Sequence, residues 1–194
     1  KNLNENFKFS RYEHSFIWLK EAGVALPVYC VQEPQVPLLL SKATNLFKLF
    51  LSDVGLLAAM YADGLQIRIL NKENNINFGS VYENAVAQEL CAHGFEVYYF
   101  NNKKQGELDF VIEFEGEALP LEVKSGKDYT KHRALNHVLE SPNYHIQNAI
   151  VFCNENIEVK DQIFYCPIYM AGFLEKRTVP EDYIYTLDLS VLQD

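Results

Sequence analysis

Apolar and polar positions in the middle of the chain follow the periods of a helix, then strands, then a helix. FGSVYENAVAQELCAHG carries apolar residues at helical spacing, and Gly94 is suited to end this helix. Three strand-like stretches follow, FEVYYF, ELDFVIEF and ALPLEVKS, and only EG separates the last two, which is typical of a tight hairpin. KHRALNHVLES then predicts a second helix and HIQNAIVFC a fourth strand, and QIFYCP and IYMAGFLE predict a further strand and a short helix.

The first part of the chain predicts a smaller α+β unit. SRYEHSFIWLKEAG is typical of a helix that begins at an N-cap, Ser10, and ends near Gly23. VALPVYCV and LFKLFLS predict strands on either side of a proline-containing loop, and in DVGLLAAMY we expect Asp53 to cap a short helix. We therefore expect a winged-helix-like unit with its connector in residues 1–75, and a larger unit with a mixed central sheet flanked by helices in residues 76–194.

Composition indicates a folded protein. Hydrophobic residues make up 48% of the chain and charged residues 22%, which excludes disordered and fibrous classes. No apolar run approaches the roughly 20 residues that cross a bilayer, so we expect no membrane partner and a cytoplasmic location. The four cysteines lie far apart and lack metal-binding spacing, which favours free thiols. Because the sequence begins without Met and without a secretory signal, we expect a piece of a longer protein.

Charge limits the possible partners. The net charge of −9 argues against a general nucleic-acid coat, since phosphate binding is driven by basic surface. One local strip after the hairpin is basic, and Lys127, Lys131 and Arg133 are its candidate nucleic-acid contacts. Their alternative role is to make a helix face soluble.

The charged residues of the predicted hairpin are candidates for a catalytic or metal-binding site. Strand alternation places Leu108, Phe110, Ile112 and Phe114 on one side of the first strand and Glu107, Asp109 and Glu113 on the other. On the second strand it places Leu119, Leu121 and Val123 opposite Glu122 and Lys124. Because the two strands are neighbours, we expect Asp109, Glu122 and Lys124 to converge.

Such a cluster is suited to phosphodiester chemistry. Two carboxylates on adjacent strands can hold Mg²⁺ or Mn²⁺, which prefer oxygen ligands, and Glu83 on the preceding helix could complete the ion's shell. Lys124 could orient a water molecule and stabilise an anionic transition state. The alternative is an exposed cross-strand ion network worth about 0.2–1 kcal/mol per pair. We expect His132 and His137 to be surface residues rather than ligands.

The same residues carry a family resemblance. Asp109 and the Glu122-x-Lys124 motif on a hairpin, with Glu83 on the helix before it, resemble the PD-(D/E)XK nuclease superfamily, although Leu108 stands where that motif has proline. In addition FIWLKEAGV, FKLFLSDVGLLAA, GSVYENAVAQEL, ELDFVI and LEVKSG, in this order, resemble the C-terminal domain of unknown function attached to prokaryotic AAA-type ATPases.

The resemblance implies a restriction-endonuclease-like core and a larger ATP-dependent protein. ATP would bind only through an upstream domain of that protein, because this chain lacks the G-x-x-x-x-G-K-[ST] phosphate loop. The leading hypothesis is Mg²⁺-dependent hydrolysis of DNA, with the upstream ATPase domain and DNA as partners and self-association left open. The alternative is a non-catalytic interaction or regulatory module of the same ATPase.

Overall fold

The computed structural model describes residues 13–61, 64–71, 73 and 78–176. Its α-helices are α1 (Glu13–Glu21), α2 (Val54–Ala59), α3 (Leu65–Leu70), α4 (Gly79–Ala92) and α5 (Arg133–Leu139). Two 3₁₀ helices cover Leu38–Ser41 and Ile168–Phe173. The strands are β1 (Ala25–Val31), β2 (Lys42–Leu51), β3 (Tyr98–Asn102), β4 (Gly106–Phe114), β5 (Glu117–Val123), β6 (Ala149–Cys153), β7 (Glu158–Lys160) and β8 (Ile163–Pro167).

In the described part of the chain, the eight strands belong to one mixed sheet with the order β2-β1-β3-β4-β5-β6-β8-β7. The pairs β1–β2, β3–β4, β4–β5 and β7–β8 are antiparallel, and β1–β3, β5–β6 and β6–β8 are parallel. The prediction of a mixed sheet flanked by helices is confirmed. The sheet is continuous across the predicted boundary between residues 75 and 76, because β1 pairs with β3.

The central hairpin β4–β5 forms for a local reason. Its two-residue turn, Glu115 and Gly116, has φ values of 52° and 85°, and the type I′ hairpin turn requires positive φ at both central residues. Apolar residues then bury both faces of the sheet. One core cluster packs against α4 and includes Val86, Leu90 and Phe110, and the other packs against α5 and includes Leu135 and Val138.

The predicted alternation along β4 is wrong at one point. Leu108 packs in the same core cluster as Val111, whereas Phe110 and Ile112 pack in the cluster on the α4 side. The reason is a β-bulge, since the pairing of β3 with β4 shifts between Tyr98 and Phe100. Glu113 lies four residues beyond Asp109 on the same strand, and its carboxylate accepts a hydrogen bond from the Leu38 N–H at 2.6 Å.

The cap of α2 and the state of the cysteines agree with the predictions. Asp53 is the N-cap of α2 and accepts a hydrogen bond from the Leu56 N–H, as expected. The four cysteines are free thiols, as expected. The short strand β7 was not predicted, and the N-cap proposed at Ser10 lies outside the described residues. In the described part of the chain no helix is long and apolar enough to cross a membrane.

Candidate active site at the end of the central hairpin

Asp109 lies at the bulge in β4, where the β4–β5 ladder ends. The regular pairing begins one residue later, at Phe110 and Leu121. Past this last regular pair, the Asp109 carboxylate accepts a hydrogen bond from the Val123 N–H at 2.9 Å. This side chain therefore replaces a backbone partner and links the two strands at the candidate site.

Glu122 faces the same cluster from β5 and is only 3% exposed. It alternates with Leu121 and Val123, which pack on the α4 side, and its side chain lies in hydrogen-bonding range of the Asp109 carboxylate. Burial and the negative charge of Asp109 raise the pKa of Glu122 to about 8, and the opposing influence of Lys124 is smaller. Asp109 and Glu122 therefore converge as the alternation predicted.

Lys124 lies immediately after β5 and forms an ion pair with Glu122 at 3.0 Å. Its backbone N–H donates to the Phe152 carbonyl of β6 at 2.8 Å, which fixes the chain at this point. Burial lowers the pKa of Lys124, but the carboxylates of Glu122, Asp109 and Glu83 together outweigh it, and the net shift is upward. Lys124 is therefore a cation at neutral pH, which does not fit the role of a general base.

Glu83 approaches the group from the first turns of α4. It is half-buried, and burial followed by the charge of Asp109 raises its pKa, while Lys48 and Lys124 oppose the shift. The helix is held to the sheet by the buried amide of Asn84, which donates to the Leu51 carbonyl and accepts from the Leu51 N–H at 2.9 and 2.8 Å. Asn84 was not among the predicted site residues, although a polar residue beside the apolar face of a helix is a signal for such a contact.

The predicted metal ligands do not form a ready-made group. Among the described residues, no three Asp, Glu, His or Cys side chains are arranged to hold a metal ion. The Asp109 carboxylate accepts from the Val123 N–H, and Glu122 forms an ion pair with Lys124. The assignment of Glu83, Asp109 and Glu122 as ligands stays a prediction.

A second lysine that the sequence analysis did not identify reaches the same region. Lys48 of β2 forms an ion pair with Glu107 of β4 at 2.5 Å, and its Nζ lies 4.9 Å from the centre of the Tyr99 ring. The other carboxylate oxygen of Glu107 accepts a hydrogen bond from Asn101. No local sequence signal points to Lys48, because β2 and β4 are brought together only by the sheet.

The basic strip is exposed. Lys127 and Lys131 lie in the loop after β5, and Arg133 is the first residue of α5. Lys131 forms an ion pair with Asp128 at 2.8 Å in which both side chains are largely exposed. Such a pair contributes little to stability, and both the phosphate-binding role and the solubilising role stay open.

The prediction that His132 is a surface residue is wrong. His132 is buried at the N-cap of α5, where its Nδ1 lies 2.7 Å from Asn136 Oδ1 and its Nε2 lies 2.6 Å from the Tyr165 hydroxyl. These contacts join the loop after Lys124 to β8. His137 is half-buried, with Nδ1 3.3 Å from the Gln105 carbonyl.

Comparison with known proteins gives one match. Residues 78–170 match the model of a family described as "Domain of unknown function (DUF4143)", and the match covers slightly less than half of the chain. It spans α4 to β8 and includes Glu83, Asp109, Glu122 and Lys124. Searches of curated proteins and of solved structures gave no significant match. The predicted resemblance to a domain of unknown function is thus confirmed for these residues.

Proposed function

We propose that this chain is a nuclease-like module that hydrolyses phosphodiester bonds of DNA with Mg²⁺ or Mn²⁺, as the C-terminal part of an AAA-type ATP-binding protein. The observation that carries the proposal is the convergence of Asp109, Glu122 and Lys124 where the central hairpin ends. Two acids and a lysine from adjacent strands, one of the acids deeply buried, are unusual on a solvated sheet face.

The chain order supports the same proposal. Helix α4, strands β3, β4 and β5, helix α5 and strand β6 follow one another, with β3, β4 and β5 antiparallel and β6 parallel to β5. This is the order that the resemblance to PD-(D/E)XK nucleases implies, and the family match covers all of it. The candidate residues lie on its two central strands and on its first helix.

The side chains offer the type of ligand that a hard divalent cation prefers, although they are not arranged as a ready-made group. Asp109 and Glu122 offer carboxylate oxygens, and a cation bound beside them would oppose the raised pKa of Glu122 and favour its ionised form. Glu83 would be the third ligand. When bound, such an ion polarises the phosphoryl oxygen and lowers the pKa of an attacking water molecule.

The chain's own side chains have separate roles in this mechanism. Lys124, held by Glu122, orients the water molecule and stabilises the negative charge that develops on the phosphoryl oxygens. The Val123 N–H fixes the Asp109 carboxylate. DNA approaches over the exposed strip of Lys127, Lys131 and Arg133, so we expect weak and steeply salt-dependent binding by this acidic chain.

The test is a cleavage assay with single-stranded, duplex and branched DNA and with RNA, in Mn²⁺ and in EDTA. We expect cleavage of DNA that requires the ion and is lost in Asp109→Asn and in Lys124→Ala. Lys160→Ala is a matched control, because Lys160 also forms a pair with a glutamate two residues away on a strand. Cleavage that survives in Asp109→Asn, or its absence for every substrate also from the full-length protein with ATP, contradicts the proposal.

A second candidate function has its own observation. Trp18, Leu40, Met60 and Leu70 in the first part of the chain are 74–82% exposed, which is high for large apolar side chains. This exposure favours a non-catalytic module that docks on the upstream ATPase domain. The test is co-purification of that domain with the chain. Co-purification that is lost in the Leu40→Ser/Leu70→Ser double variant, in a protein without metal-dependent cleavage, would favour this function.

A further inference from the structure

We propose that Lys48 of β2 is a substrate-binding residue of the candidate site, where it contacts a DNA phosphate alongside Lys124. The inference rests on the proposed function and deepens it, since it adds a residue from outside the region that matches the family model. It also makes the first part of the chain part of the site.

The direction of the Lys48 side chain is the first observation. Strand β2 is at the edge of the sheet, and β1 and β3 separate it from β4. Lys48 nevertheless crosses over the ring of Tyr99 on β3 and reaches Glu107 on β4. Glu107 is two residues before Asp109, so the ammonium group lies beside the acidic cluster.

The charge of the cluster is the second observation. Glu83 interacts electrostatically with Asp109 and Glu107 and also with Lys48 and Lys124. A phosphodiester that approaches Lys124 therefore meets several carboxylates, and a second cation at this position reduces the repulsion. Lys48 supplies that cation from β2, a strand distant in sequence from β4 and β5.

The accessibility of the ion pair is the third observation. The side chains of Lys48 and Glu107 are 25% and 43% exposed, so the ammonium group is not sealed in the core. Partly exposed pairs contribute little to stability, and Lys48 can therefore exchange the Glu107 carboxylate for a phosphate at little cost. Glu107 is held by Asn101 and keeps the lysine extended in the absence of DNA.

The experiment uses the whole chain and a fluorescently labelled DNA duplex. Binding is measured by anisotropy in Ca²⁺, which also takes oxygen ligands, over a series of salt concentrations, and cleavage is measured separately in Mn²⁺. For Lys48→Ala we expect binding weaker on the order of tenfold and a salt slope reduced by about one, as for the loss of one phosphate contact. The turnover number should fall less than the affinity, and Lys48→Arg should restore both affinity and slope.

The chain offers a matched control and a change of opposite sign. Lys42 lies on the same strand with its Nζ 3.9 Å from the centre of the Tyr29 ring, so Lys42→Ala removes the same charge and the same type of contact elsewhere. Glu107→Gln removes the competing carboxylate and should tighten binding a few-fold. This second variant tests the inference even where Lys48→Ala lowers stability.

The outcomes separate the inference from the proposed function. Equal affinity and salt slope in Lys48→Ala and Lys42→Ala, with wild-type cleavage intact, overturn the inference and leave the nuclease proposal standing. Weaker binding in Glu107→Gln also overturns it, because the pair would then be structural. If the chain binds DNA and neither it nor the full-length protein with ATP cuts it, the salt slope still decides the role of Lys48 and the hydrolytic function is rejected. If the chain does not bind and neither protein cuts, both are rejected.

Discussion

The Glu122→Gln variant should be more stable than the wild type, and the difference in free energy of unfolding should grow as the pH rises. The wild-type carboxyl group is 3% exposed, lies against Asp109 and forms an ion pair with Lys124. Glutamine has nearly the same shape and stays neutral, so the variant removes the cost of ionising this group. At low pH, where Glu122 is protonated, the two proteins should differ little in their free energy of unfolding.

The size of the effect follows from the shift in pKa. The pKa of Glu122 is about 8 in the folded chain and 4.5 for an ordinary glutamate, so the folded state binds more protons than the unfolded state in this window. The free energy of unfolding of the wild type therefore falls as the pH rises from 4.5 to 8, by at most about 1.4 kcal/mol per pH unit. The ceiling is about 5 kcal/mol, and this figure already includes the favourable ion pair with Lys124, because that pair lowers the pKa of Glu122.

The assay is urea denaturation of both proteins in EDTA at several pH values across this window and above pH 8. Glu117→Gln removes a carboxylate from an exposed position at the start of the same strand and gives the baseline. The difference between Glu122→Gln and wild type should grow with pH. If the difference in free energy of unfolding stays constant with pH, or if the variant becomes the less stable protein as the pH rises, the raised pKa of Glu122 is refuted.

Three further predictions follow from single contacts. In thermal melts Asp109→Ala should have a free energy of unfolding about 1–3 kcal/mol below that of Asp109→Asn, because only the amide can still accept a hydrogen bond from the Val123 N–H. Equal stabilities would contradict the role of Asp109 as the partner of this N–H. Asn84→Ala should cost about 1–3 kcal/mol for each Leu51 backbone group left without a partner, measured by urea denaturation, and a loss below 1 kcal/mol would mean that water replaces the amide. Lys124→Met should raise the pKa of its partner carboxylate further and lose more stability above pH 8 than at pH 4.5, and a pH-independent loss would argue for a packing role.

The order of elements was predictable because each depends on a local pattern. The EG turn between two alternating stretches specified the central hairpin, and Gly94 marked the end of α4. Because opposite residues of a hairpin face the same side, the convergence of Asp109 and Glu122 also followed from the sequence. The short strand β7 was missed, since three exposed residues leave no periodic signal.

The remaining features of the site depend on contacts between distant parts of the chain. The bulge in β4 places Leu108 in a different core cluster from Phe110 and Ile112, and it is visible only in the pairing with β3. His132 is buried because Tyr165, 33 residues later, supplies a partner for its ring. A sequence pattern records neither event, because each is decided by which strands and loops become neighbours.

The sequence by itself thus determined the hairpin and the types of residue that it carries, because alternation and turn geometry act over a few residues. Only the tertiary structure decided the charge state and the full membership of the cluster. Burial beside Asp109 raises the pKa of Glu122. The order of strands in the sheet lets Lys48 of the edge strand β2 reach Glu107 of β4. The physical reason is that desolvation and electrostatic interaction depend on distances in space rather than on separation along the chain.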